Sequence, residues 1–123
     1  MSINQIKQIT KQIGKAIAQP IDKDNPDEVA GKIAELSNLL AISSHAVALS
    51  EMLYNERLSE LVQNNEYSNL NATEKKMLFA GLAKHEIYYC TLSERQNKAL
   101  THQIDGLRSI ISYLKSEMQN ISS

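Results

Sequence analysis

The stretch CTLSERQNKALTHQIDGLRSIISYLKSEMQNI, residues 90–121, decides the fold. Alternating steps of three and four connect Cys90, Ser93, Asn97, Leu100, Ile104, Leu107, Ile111, Leu114, Met118 and Ile121. Such steps return to one side of an α-helix and mark a continuous seam. In heptad terms Cys90, Asn97, Ile104, Ile111 and Met118 take one core position, and Ser93, Leu100, Leu107, Leu114 and Ile121 the other. Isoleucine at the first with leucine at the second favours parallel two-stranded pairing, and a lone asparagine at the first position fixes register. Two helices of one chain packing together give the same spacing, and Ile110 beside the seam widens the face as a bundle does. The run Asn97, Leu100, Ile104, Leu107, Ile111, Leu114 and Met118 is therefore read as a hairpin or oligomer seam.

Working outward, no proline interrupts residues 73–119, which are expected to form one helix with Gly81 and Gly106 as its weak points. Asn71 with Glu74 three residues later reads as a capping box, with Thr73 as a competing cap. About 45 residues at ~1.5 Å each make a rod of roughly 65–70 Å. A rod of that length needs a second long helix alongside and, on this reading, a second chain. The second helix is expected over 27–62. Asn25 caps it, Pro26 suits its first position, and Asp27 and Glu28 complement its dipole. Its apolar residues form two adjacent stripes, one through Val29, Ile33, Leu36, Leu40 and Val47, the other through Leu39, Ile42, Ala46, Leu49 and Leu53. The Asn-rich residues 63–72 form the turn. Residues 1–19 form an amphipathic helix on the stripe Ile3, Ile6, Ile9, Ile13, Ala16 and Ile17. Pro20 ends it, and 20–26 is a polar connector. The expected fold is all-α: a single domain, 1–123, with an N-terminal helix and a long antiparallel, coiled-coil-like hairpin, assembled into a homo-oligomer. The N-terminal helix is expected to serve assembly, so that removing it leaves the long helices intact.

Composition narrows the function. Hydrophobic residues make up 42% and charged residues 22% of 123, an ordinary globular balance. One cysteine permits no internal disulfide. No apolar run reads as a membrane span, and Lys7, Lys11 and Lys15 interrupt any signal-peptide core, so a cytoplasmic protein with no membrane partner is expected. Net charge is −1, but it is unevenly spread. Residues 1–21 hold three lysines and no acid, 22–65 hold eight acids and three bases, and 66–123 hold six acids and seven bases.

Neither a phosphate-binding glycine loop, nor a zinc-spaced Cys/His set, nor a nucleophile elbow is present. His45, His85 and His102 are scattered. His85, Glu86 and Cys90 are spaced too irregularly to converge on one helix face. No catalytic residue, metal or cofactor is expected. Lys7, Lys11 and Lys15 recur every four residues, and Arg95, Lys98 and His102 step by three and four. These six are the candidate nucleic-acid or anion-binding residues, since such rows can follow a phosphate backbone without reading sequence. Glu94, Asp105 and Glu117 interleave with the second row, so ion pairing within and between helices is the simpler reading of it. Tyr88 and Tyr89 can stack on bases or fill gaps between helices.

The segment TEKKMLFAGLAKHEIYYCTLSERQNKALTHQIDGLRSIISYLKSEM, residues 73–118, resembles the small helical proteins of tailed bacteriophages encoded among recombination and replication genes. Glu94-Arg95, Leu100, Gln103-Ile104, Leu107-Arg108-Ser109, Ile111-Ser112 and Leu114-Lys115 carry the resemblance, over about a third of the chain. It implies a phage origin, oligomeric assembly, and handling of single-stranded DNA or of a recombination protein, as recombination mediators do. A slightly acidic chain departs from that pattern. The expected function is thus a non-enzymatic accessory of DNA recombination or replication. The alternatives are an anti-defence protein that blocks a host defence protein or sequesters its nucleotide signal, and a virion assembly factor.

Overall fold

The computed structural model describes residues 3–122. Met1 and Ser2 of the expected N-terminal helix lie outside the described residues. Helix α1 spans Ile3–Ala18, α2 Pro26–Gln63, α3 Ala72–Leu82 and α4 Lys84–Ser122, with one 3-10 turn at Asn65–Tyr67 between α2 and α3. No strand occurs among the described residues.

The local chemistry sets the ends. The Asn25 side chain accepts from the backbone N–H of Asp27 at 3.0 Å and of Glu28 at 3.4 Å. Two donors that the first turn of α2 leaves over are thereby satisfied. At α3 the capping box forms in full: Asn71 Oδ1 accepts from Glu74 N at 2.8 Å, and Glu74 Oε1 accepts from Asn71 N at 3.2 Å. Asn71, not Thr73, is the cap.

The expected single helix over 73–119 is two helices. Ala83 leaves the helical region at φ −100° and ψ 19°. The break lies two residues past Gly81, whereas α4 runs straight through Gly106. Ala83 N still donates to Phe79 O at 2.8 Å, and Ile87 N to Ala83 O at 3.0 Å, so the ladder bends without coming apart. The bend lets Phe79 and Ala83 bury against Leu61 at the end of α2, with Tyr67 edge-on to Phe79 at 5.7 Å. This small apolar cap closes the turn end of the hairpin.

The seam on α4 faces α2 of the same chain. Ser93 Oγ lies 3.2 Å from Ser50 Oγ, and Asn97 Nδ2 donates to Ser43 Oγ at 3.3 Å and Ser44 Oγ at 3.1 Å. As position rises on α4 its partner falls on α2, so the two run antiparallel. The parallel pairing suggested by the Ile/Leu order is therefore not what this seam makes. Small serines at the crossing let the helices approach, and the hydroxyl and amide groups satisfy one another where an offset register would strand them. Below this polar layer Leu36 and Leu39 of α2 meet Leu100, Ile104 and Leu107 of α4 in the main core.

Helix α1 completes that core. Ile6 and Ile13 are 0% and 1% exposed, the second packing with Val29, Leu36 and Leu100. Gln96 Nε2 donates to Thr10 O at 2.8 Å, and Gln103 Nε2 to Ile17 O at 3.5 Å. Both pairs are 86 residues apart, so α1 runs parallel to α4 in a fixed register. The first turn of α1 contains no acid of its own. Glu56 and Glu60 of α2 and Glu86 of α4 line a groove with Ile3 there, where carboxylates complement the positive end of the helix dipole. Thr10, mid-helix and 4% exposed, turns its hydroxyl back onto the carbonyls of Ile6 and Lys7.

Helix α2 also contains an 18-residue window of mean hydropathy 1.2, long and apolar enough by composition to cross a membrane, against the expectation that no such run exists. In the fold its apolar positions Leu36, Leu39 and Ala46 are buried against α1 and α4, and Ser37, Asn38, Ser44 and His45 lie on its exposed side.

Candidate anion-binding face

The register of α1 on α4 decides where the expected basic residues come together. Lys7, Lys11 and Lys15 are exposed on α1, and Arg95, Lys98 and His102 are exposed on α4. The offset of 86 residues sets Lys11 level with Asn97 and Lys98, and Lys15 level with Thr101 and His102. Two rows read separately in the sequence thus stand side by side on parallel helices. Lys15 sits on the far flank of α1, beside a groove that also holds Glu35 of α2. The ridge proper is Lys7, Lys11, Arg95 and Lys98, with His102 at its lower end.

Its upper end is aromatic. Lys7 Nζ lies 5.9 Å from the centroid of Tyr89, and Tyr88 packs edge-on against Tyr89 at 5.0 Å. Tyr88 remains 57% exposed. Adjacent helix residues point apart, and here one tyrosine supports the lysine while the other faces solvent.

The ion pairs expected to absorb these charges do not form. Among the described residues the ion pairs are Lys32–Glu35, Arg57–Glu60 and Arg108–Asp105, and the last is 4.0 Å long between exposed groups. None uses Lys7, Lys11, Lys15, Arg95 or Lys98. Glu94, the acid nearest Arg95 in sequence, lies toward Cys90 together with Glu51 and Glu86. Burial first, then those carboxylates, push the Cys90 thiol above its ordinary value. A thiol so held stays protonated at neutral pH, the opposite of what a nucleophile needs. The charge of the molecule is therefore divided, with acids along α2 and around Cys90 and bases along the α1–α4 ridge.

The remaining candidates do not converge. His45 and His85 are exposed on different helices, and no three His, Cys, Asp or Glu side chains gather among the described residues. The seam residues Asn97, Leu100, Ile104, Leu107, Ile111 and Leu114 are used within the chain, whereas Met118 and Ile121 are 60% and 83% exposed. Lys32 was not singled out by its sequence, yet it is 6% exposed at a core-facing position of α2. Its spacing of three from Val29 and four from Leu36 was the available signal.

Fold and face together define an all-helical antiparallel hairpin, buttressed by a short parallel helix that brings its cations beside those of α4. Comparison with protein-family models, characterised proteins and solved structures gives no match.

Proposed function

We propose that the protein is a non-enzymatic, cytoplasmic binding protein whose α1–α4 ridge holds single-stranded DNA, in the service of recombination or replication. The in-register rows of unpaired cations ending at the exposed Tyr88 carry this reading. A backbone can track the row while a base stacks on the ring, the combination by which single strands are held without sequence preference. The acids of α2 restrict the strand to one side.

Four permanent cations, Lys7, Lys11, Arg95 and Lys98, set the expected salt dependence. At ~0.7 counterions per contact on a single strand, affinity should fall about fifty-fold between 50 and 200 mM salt. Fluorescence anisotropy with a labelled oligonucleotide measures this, and Tyr88→Ala should weaken binding equally for all sequences. Absence of binding at 50 mM salt would remove single-stranded DNA and turn attention to an acidic protein surface.

Self-association belongs to the same proposal. Ile121 continues the seam beyond the part of α4 that packs on α2, and a second copy supplies a matching tail. Two joined copies also double the cationic row, raising avidity without a new contact. Sedimentation should show an assembly that Ile121→Glu dissociates while helicity is kept. A wild-type monomer at high protein concentration would refute that part alone.

A further inference from the structure

At the opposite end from the aromatic cap, where α1 stops and the chain turns into α2, the structure holds a hollow of about 400 Å³. Its size falls within the range of small-molecule sites. Ile17, Ile21, Leu107 and Ile110 make its apolar walls. Two lysines, Lys23 and Lys32, are among its lining residues, and no acid is.

Lys32 is the unusual element. Its side chain is 5% exposed, and it occupies a core-facing position of α2. An ammonium offers three donors and is rarely buried without partners for them. Here one goes to Glu35 Oε1, at a long 3.4 Å, and Glu35 itself is 45% exposed. Snorkelling would take the ammonium to water and leave the stem behind, yet here the whole side chain is covered. Lys23 is exposed and flanked by Asp22 and Asp24, so it adds less.

We propose that this hollow binds a medium-chain amphipathic carboxylate, with its head on Lys32 and its chain along Leu107 and Ile110. The apolar walls exclude strongly hydrated polyanions, and the buried cation excludes a neutral hydrocarbon as the best occupant. This site is separate from the ridge and does not rest on DNA binding.

Gly106 supplies a clean block. It lines the hollow, and a Cβ built there meets nothing within 4 Å. Leucine at 106 would therefore fill the space without displacing a neighbour, and it is a better helix former than glycine. Calorimetric titration with sodium decanoate, below its micellar concentration, should show saturable one-site binding. Octanoate should bind about sixteenfold more weakly, at about fourfold per buried methylene. Gly106→Leu should abolish binding with helicity intact. Lys32→Met should weaken decanoate by about tenfold or more while leaving decan-1-ol unchanged, because only the charged head loses a partner. Non-saturable uptake, equal binding of decyltrimethylammonium, or decanoate binding untouched by Gly106→Leu would each overturn the site. Gly106→Leu should still bind the oligonucleotide, so the two proposals fail separately.

Discussion

Replacing Ile6 and Ile13 together by alanine should remove about 4–10 kcal/mol of unfolding free energy, at ~2–5 kcal/mol for each buried isoleucine. Both side chains are essentially inaccessible, at 0% and 1%. They lie about 10 Å apart along α1, far enough for their effects to add. A domain of this size has roughly 5–15 kcal/mol in total, so the double variant should be at or past the edge of folding. The reason lies in the core. Leu36, Leu39, Leu100 and Ile104 are covered by α1 as well as by each other. A 16-residue helix is marginal alone, and the long hairpin without it exposes its central apolar face. Urea unfolding followed by circular dichroism should show the midpoint collapsing. A loss of only about 1 kcal/mol would mean that α1 is an appendage.

That outcome differs from the sequence expectation, in which α1 served assembly and could be removed. The isoleucine stripe was legible because its spacing is local. Its destination was not, since nothing in residues 3–18 says whether the covering surface belongs to the same chain or a second one. The caps at Asn25 and Asn71 were legible for the same local reason, down to the Asn71–Glu74 box. The bend at Ala83 was not, because it answers to Phe79 settling on Leu61, about twenty residues away in sequence. Heptad spacing identified the seam but not its direction. Isoleucine and leucine preferences for parallel strands come from coiled coils of separate chains. In a hairpin the turn dictates antiparallel packing, and Asn97 then answers Ser43 and Ser44.

The ridge shows the same division. Each basic row could be read from its own spacing, but their juxtaposition depends on α1 running parallel to α4. That direction follows from the antiparallel hairpin and from α1 returning along α2. The acids interleaved with Arg95 and Lys98 suggested ion pairs because sequence distance was the only distance available. On the helix Glu94 turns toward Cys90 and Glu51, and Asp105 meets Arg108, which leaves the ridge cations without carboxylate partners.

Reversing the ridge should therefore have a large and specific effect. With Lys7, Lys11, Arg95 and Lys98 all changed to glutamate, affinity for a single-stranded oligonucleotide at 50 mM salt should fall by about two to three orders of magnitude. The residual binding should be nearly independent of salt, since about one unit of salt slope leaves with each lost phosphate contact. All four side chains are exposed, so the fold should survive, and an unchanged thermal transition would confirm it. The control is a second variant with the same formal charge: Lys75→Glu, Lys76→Glu, Arg108→Glu and Lys115→Glu. If general electrostatic attraction brought the strand to the protein, both variants would lose binding alike, because both shift the net charge from −1 by the same amount. Contact along the ridge instead predicts a control that binds within a few-fold of the parent at moderate salt and keeps its salt slope. Equal losses in the two variants would dismiss the ridge as a site, even if the protein binds DNA.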